Sequence, residues 1–390
     1  MGKRQPSVIV VGSGIIGAAI AWRLAERGAE VTVVEGRAPA TGATANSFAW
    51  INAQSPETPA YFALRLAAIA EHRVLNDRFG DSASARWVGS LAWDQTRDNL
   101  AQQARELSDL GHRAELIGAN ETARLEPNLV EVPEVALYCP DEAMVEPTVL
   151  TRAMVQAAVD AGARVVTGAD VASVTTTADG TRVVGVSTAV GEIAADHVVI
   201  AAGTGTAPLL SSAGVALPTA NRIGMLIHTE PVDPIVSRVL LSPTVHVRQE
   251  LDGRLIVGED FSGAFAQTSA QLDTQVDAKT GEQPARWLGR RPAPLAIAEE
   301  LLDDLPKVLR LREPPKIGAL HFGERPVPGD GHPVIGSVDT LSGLTVAMMH
   351  SGITLAPLVG KLVAAEILGD APQPLLSAFR PSRFQALHRA

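Results

Sequence analysis

Cysteine is almost absent: Cys139 stands alone among 390 residues. An intramolecular disulfide is impossible, and a cysteine-based metal site or iron–sulfur cluster is excluded. On its own Cys139 reads as a half-buried small apolar residue. Basic runs are missing too. With 33 Lys and Arg against 43 Asp and Glu, the formal charge is −10. That balance argues against nucleic-acid or anionic-membrane partners. Unbroken apolar runs of membrane-spanning length are also lacking. Gln5–Trp22, His197–Asn221 and Thr340–Gly360 hold no Asp, Glu, Lys or Arg, but each is interrupted by several glycines and carries proline. No transmembrane segment is therefore expected. Lys3 and Arg4 ahead of Val8–Val11 mimic a signal peptide, yet Gly12, Ser13 and Gly14 fall inside the supposed apolar region. The expected location is the cytoplasm. What is present is a 46% hydrophobic chain, long enough for about two domains with sizeable cores.

Ser7–Val11 is a short apolar run of the buried-strand type. Ile15–Arg27, stopped by Gly28, reads as a helix, and Val31–Glu35 as a second strand. Further helices are expected at Pro59–Phe79, Arg97–Leu110, Asn120–Leu125 (Asn120 as N-cap), Thr148–Ala161, Ala285–Leu311 and Ile353–Leu368. Pro292 and Pro294 should break the first part of Ala285–Leu311. Strands are expected at Arg86–Asp94, Arg164–Thr167 and Asp196–Ala202, with β-runs across 223–258. Asp179-Gly180 and Asp252-Gly253 are hairpin signals.

Gly12-Ser-Gly14-Ile-Ile-Gly17 follows the first strand and opens the first helix, and Glu35 ends the next strand, 21 residues after Gly14. In that setting G-x-G-x-x-G is a dinucleotide fingerprint. Gly12 permits the tight turn, Gly14 lets backbone approach a pyrophosphate, and Gly17 lets helix and strand pack closely. The helix N-terminus then faces the phosphates. Glu35 can accept hydrogen bonds from both ribose hydroxyls, and its charge disfavours a 2′-phosphate, although Arg37 stands nearby. The fingerprint alone does not separate NAD from FAD.

Five further segments resemble the D-amino-acid oxidase superfamily of FAD-dependent amine and amino-acid oxidoreductases, which includes glycine-oxidase-like and sarcosine-oxidase-like members. They are Thr41-Gly-Ala-Thr-Ala-Asn46-Ser47, Met144-Val-Glu-Pro147, Val198-Val-Ile-Ala-Ala-Gly203, the block Gly323-Glu-Arg325-Pro326 through Asp330-Gly331 to Ile335-Gly336, and His350-Ser-Gly352-Ile-Thr354-Leu-Ala-Pro357. The resemblance runs in order from about residue 7 to 370. It implies an α/β (α+β overall) fold: a Rossmann-like FAD-binding domain over 1–75, 140–215 and 320–375, interleaved with a mainly antiparallel-sheet substrate domain over 76–139 and 216–319, and a tail at 376–390. It implies FAD contacts from Gly12, Gly14, Ile15, Ile16, Gly17, Glu35, Gly36 and Arg37. Thr41, Gly42, Ala43, Thr44, Ala45, Asn46 and Ser47 would follow the pyrophosphate and ribityl chain. Val171, Ala202, Gly203, Arg325, Gly352, Ile353, Thr354 and Leu355 complete the set. Free N–H groups at Gly352–Thr354 would stabilise the negative charge of a reduced flavin. Some members of the family link flavin through a Cys where this chain has Gly323, and others through a His around Ala45–Asn46, where none stands, so FAD is expected to be non-covalent. No metal is expected.

The implied chemistry is hydride transfer from the C–H beside the nitrogen of a small-molecule amine or amino acid to flavin N5. Arg325 and His350 are the catalytic candidates. Arg325 would clamp a carboxylate; otherwise it pairs with Glu324 or Asp330. His350 would contact substrate, help deprotonate the amine or hydrogen-bond the flavin. It occupies the place of a second arginine in glycine-oxidase-like members, which leaves Arg325 as a single carboxylate clamp and suggests larger or N-substituted amino acids over glycine. Trp50 reads equally as pocket lining or core, and His228 and His246 as structural or surface residues. The electron acceptor is O2 or an electron-transfer partner. Lys279, Lys307 and Lys316 lie in the substrate-domain part of the C-terminal half, outside any motif that speaks for oxygen. An oligomer is possible. Competing readings are a flavoprotein subunit of a hetero-oligomeric amine dehydrogenase or oxidase, and an NAD-linked dehydrogenase.

Overall fold

A computed structural model describes residues 5–55, 57–80, 85–258 and 294–385. The chain opens with β1 (Ser7–Val11), α1 (Ile15–Glu26) and β2 (Glu30–Glu35). Next come β3 (Trp50–Ile51), α2 (Pro59–Asn76), β4 (Ser90–Ala92), α3 (Arg97–Asp109), β5 (Glu115–Gly118), α4 (Ala119–Leu125), β6 (Val135–Cys139) and β7 (Ala143–Met144). α5 (Pro147–Asp160) leads into β8 (Arg164–Thr167) and a meander of β9 (Val171–Thr176), β10 (Val183–Thr188) and β11 (Gly191–Ala194). Then follow β12 (His197–Ile200), α6 (Thr206–Ser212), β13 (Arg222–Thr229), β14 (Val239–Leu241), β15 (His246–Gln249) and β16 (Leu255–Gly258). The last elements are α7 (Pro294–Val308), β17 (Ile317–Arg325), β18 (Val334–Ser337), β19 (Leu344–Met348), α8 (Gly352–Ile367) and α9 (Ser382–Gln385).

One sheet has the order β18-β19-β12-β1-β2-β8. Its neighbours pair in parallel except β18 with β19. Such a sheet is covered on both faces, so its central strands are apolar throughout; Val8–Val11 are all buried. α1 lies between this sheet and α8 and buries Ile20, Trp22 and Leu24. A second sheet has the order β17-β13-β16-β15-β14-β4-β6-β5 and is antiparallel except where β14 meets β4. Ala298, Leu301, Leu302 and Leu305 of α7 pack into its core with Ile227, Leu240 and Val247. The two sheets draw on alternating stretches of chain, which is the expected interleaved architecture. Both hairpin signals sit at antiparallel turns, β9–β10 and β15–β16. Among the described residues, no helix is long and apolar enough to cross a membrane.

Several sequence expectations need correction. The boundary at 320 cuts through β17, which pairs with β13 along Ile317–Arg325 and so belongs to the second sheet. Arg86–Asp94 shortens to Ser90–Ala92, because Gly89 turns the chain at φ +76 and Arg86 instead bridges to Met144. α4 is capped by Gly118, not Asn120. The 376–390 segment is no loose tail over its described part: Leu376 and Phe379 are buried, and Arg380 and Arg383 pair with Glu366 and Asp330. Of Ala285–Leu311, residues 285–293 with Pro292 lie outside the described residues, and the described helix runs from Pro294 through Pro306 to Val308.

Candidate functional site

The end of β1, the glycine turn and the start of α1 form one wall of a cleft of about 640 Å³. Gly12 sits at φ +96, and a Cβ there would lie 2.6 Å from Ala201 O. Gly17 holds α1 against the turn so closely that a Cβ would meet Gly12 O at 2.0 Å. Gly14 is the N-cap of α1 without a side-chain bond, and Ile15 N–H donates to Thr44 Oγ1 at 3.1 Å. Glu35 Oε2 accepts from Ser13 N–H (2.8 Å) and Ser13 Oγ (2.9 Å), and Oε1 accepts from Arg37 N–H at 2.9 Å.

Of the expected cofactor residues, Gly12, Gly14, Ile15, Ile16, Glu35, Gly36, Arg37, Thr41 through Thr44, Ser47, Val171, Ala202, Gly203, Gly352 and Ile353 line this cleft. The others do not. Gly17 acts through packing. Ala45 closes a turn on Gly42 O, and Leu355 is core. Asn46, Thr354 and Arg325 line a neighbouring cavity instead. Asp170 was missed. It lines the cleft, and its Oδ1 would lie 1.9 Å from a Cβ on Gly36. It follows β8, and only the parallel pairing of β8 with β2 brings it to Glu35's end of the sheet.

The second cavity measures about 410 Å³ and shares Ala43, Ser47, Pro326, His350, Gly352 and Ile353 with the cleft. Trp50 lines it, and its Nε1–H donates to Glu142 Oε2 at 3.0 Å. Glu142 also accepts from Ala53 N–H and Ser90 Oγ and contacts His112 Nε2 at 3.2 Å. Cys139 is fully buried rather than half-buried, and its Sγ lies with His112 and Glu142 inside 4.8 Å. Burial, with Glu142's charge, pushes its thiol up, so it stays protonated. With Glu142 already saturated, we read this cluster as a buried hydrogen-bonded hub that fixes Trp50 and the cavity wall.

Arg325 ends β17 directly opposite Arg222 on β13. Its guanidinium lies over Gly224, where a Cβ would sit 2.6 Å from Nη2. Nearby, Asp330 binds Arg383 at 2.7 and 3.0 Å, and Glu324 accepts from Asn221 at 3.4 Å. His350 lines both cavities and keeps an exposed surface. Desolvation by the surrounding protein, with the charges of Arg325, Arg222 and Arg65, pushes its imidazole down to about 4. Tyr61 OH donates to Ser351 Oγ at 2.8 Å, and Ser351 Oγ stands 3.4 Å from His350 Nδ1. Asn46 Oδ1 meets His321 Nδ1 at 3.2 Å, and His321 stacks on His228 at 3.8 Å. His228 is therefore structural and His246 is buried. Lys307 is exposed and paired with Asp304, Lys316 is exposed, and Lys279 lies outside the described residues.

Two expectations fail here. Gly352 N–H is not free, because it donates to His350 O at 2.8 Å. The first helical bond is Leu355 N–H to Ser351 O, so the N–H groups of Ile353 and Thr354 precede the ladder. The single-arginine reading is also wrong, since Arg65 and Arg222 line the same cavity as Arg325. The signal for Arg65 was a charge inside the apolar stripe of α2 (Tyr61, Phe62, Leu64, Ala68, Ile69).

The residues present fit an FAD. A long groove begins at a glycine turn and helix N-terminus and ends at a second helix start, where it joins a smaller cavity. A family model described as FAD dependent oxidoreductase (DAO) matches residues 7–366. A glycine oxidase of Bacillus licheniformis is 27% identical over 399 residues, covering 99% of this chain and 100% of its own. The crystal structure of glycine oxidase from Geobacillus kaustophilus superposes with a TM-score of 0.80 at 24% identity, covering 97% of this chain and 99% of that one. L-proline dehydrogenase from P. horikoshii gives 0.81 at 21%, with 98% of each chain covered. These two likenesses speak for the fold.

Proposed function

The chain belongs to the DAO family of FAD-dependent oxidoreductases, and from that premise we propose that it oxidises the C–N bond of a carboxylate-bearing amino acid or secondary amine. An NAD-linked dehydrogenase is set aside by the family match. The observation that carries the reading is the placement of Arg325 and His350 in one cavity that opens onto the nucleotide cleft. The glycine oxidase relatives support the C–N chemistry.

Bound FAD would accept the hydride from the carbon beside the nitrogen. Arg325 offers two parallel N–H donors to a carboxylate, which turns the neighbouring C–H toward the junction of the two cavities. The amine loses its proton to give an imine, which water hydrolyses. His350, neutral at physiological pH, is a weak base. Its part is to orient: Tyr61 OH donates to Ser351 Oγ, which stands beside His350 Nδ1 and steadies the ring at the cavity wall. The N–H groups of Ile353 and Thr354 aim positive partial charge at the same junction.

FAD is held without a covalent bond in this reading. A Cβ at Gly323 would lie 2.8 Å from Asn46 Cβ, so a cysteine has no room there. The acceptor, O2 or an electron-transfer partner, the oligomeric state and a cytoplasmic setting belong to the proposal as well. The test is anaerobic bleaching of the bound flavin by a panel of amino acids and amines, with acid release of intact FAD. Flavin retained on denatured protein, or no bleaching by any C–N substrate, sinks it.

A further inference from the structure

The described lining of the second cavity is rich in arginine. Among its described lining residues the charged groups are Arg65, Arg222, Arg325 and a lone acid, Glu57. His350 is neutral. Among these described residues arginines outnumber acids three to one, in a chain whose formal charge is −10.

Arg65 is the telling residue. It occupies the buried stripe of α2, where packing calls for an apolar side chain, and it is 4% exposed. Its Nε and Nη2 have no hydrogen-bond partner. Its guanidinium carbon lies over the Tyr61 ring, 4.7 Å from the centroid. A buried guanidinium without an anion is costly and persists where something supplies one. Arg222 adds a second strain. It stands at the register position opposite Arg325, and like charges across an antiparallel pair repel. An anion between these strands and α2 relieves both.

We propose that the substrate is an amino- or imino-dicarboxylic acid: Arg325 takes the carboxylate beside the reacting C–N bond, and Arg65 takes a second carboxylate, with Arg222 drawing the dianion in from the exposed mouth. This rests on the C–N oxidation reading above and adds the substrate class to it. Two carboxylates match the predominance of arginines among the described lining residues. Its volume of about 410 Å³ accommodates such a molecule.

The test uses the holoenzyme. Both enantiomers of aspartate and glutamate, with iminodiacetate, are compared with alanine, 2-aminobutyrate and sarcosine by anaerobic flavin bleaching. The dicarboxylates should lead in kcat/KM by at least about tenfold, and Arg65→Met should lower the dicarboxylate-to-monocarboxylate ratio by roughly tenfold to a hundredfold. Binding is read separately. Succinate should raise the Tm of the wild type more than propionate at equal concentration, and Arg65→Met should abolish the difference. Arg222→Gln, at an exposed position, should reduce it and keeps the test open if the buried variant does not fold. Monocarboxylates matching the dicarboxylates, with equal Tm shifts from succinate and propionate, overturn the proposal while leaving C–N oxidation standing. A succinate shift without bleaching by any amine leaves the two-anion site standing and overturns the C–N reading.

Discussion

Replacing Gly17 and Gly14 by alanine, one at a time, separates two demands made by the glycine turn. In Gly17→Ala the new methyl would sit 2.0 Å from Gly12 O and 3.0 Å from Gly12 C, whereas ordinary contact begins at 3.4 Å. The shortfall of 1.4 Å is against backbone, so no side chain can swing away. α1 must retreat, and it is the helix that buries Ile20, Trp22 and Leu24 between sheet and α8. Overpacking of this kind costs about 1–3 kcal/mol, and rigid partners place it at the upper end. The apoprotein should melt lower by on the order of 5 °C. Gly14→Ala is different. Gly14 has φ −65 and ψ 176, open to any residue. Its Cβ would lie 3.3 Å from Thr44 Oγ1, a side-chain tip. Apoprotein stability should change by less than about 1 kcal/mol. The methyl nevertheless projects into the cleft where a pyrophosphate must approach backbone. FAD affinity should fall at least tenfold, about 1.4 kcal/mol. Calorimetry of the apoproteins and FAD titration by fluorescence quenching read the two effects independently. An apo Gly17→Ala that melts with the wild type refutes the packing argument. A Gly14→Ala that binds FAD normally refutes the placement of the phosphates.

Other expectations follow from single groups. Glu35→Ala removes a charged acceptor worth about 1.5–3 kcal/mol and should weaken FAD binding ten- to a hundredfold with the fold retained; unchanged affinity would mean that the ribose lies elsewhere. Arg325→Lys keeps the charge but loses the planar fork, so kcat/KM on the best acid should drop about tenfold to a thousandfold, 1.4–4 kcal/mol, with near-normal flavin content. An equal loss on the decarboxylated amine would show that Arg325 does not read the carboxylate. Stability should peak near pH 6.5. Burial pushes His72, His197 and His228 down to about 4, about 4 and about 3. Below the usual value of about 6.5 the unfolded chain therefore binds more protons, and Tm falls as pH drops toward 4. Burial and the neighbouring Glu250 push Glu146 up to about 8. There the folded chain holds the extra proton, so stability is lost as pH rises from about 6.5 to 8, and Glu146→Gln should flatten that limb. A Tm that climbs steadily to pH 8 contradicts this assignment.

The sequence by itself determined the parts whose physics is local. A five-residue apolar run, a glycine turn and a helix start specify β1–α1 within a few bonds of each other, and β1 was legible to the residue. Glu35, at the end of the neighbouring strand, was legible because β2 follows immediately. The Asp-Gly hairpins were legible because the turn chemistry sits in two residues. What only the tertiary structure decided was which distant stretches share a wall. β8 beside β2 brings Asp170 to Glu35. The β13–β17 register sets Arg222 against Arg325 across more than a hundred residues of chain, and α2 delivers Arg65 to the same cavity. Motif adjacency also misled: Gly352 lines the cleft and Leu355 is core, because the cleft meets only the start of α8 and the helix beyond it packs against α1 and α2. Sheet order and helix packing are settled by long-range burial, and a single chain read in order does not carry that information.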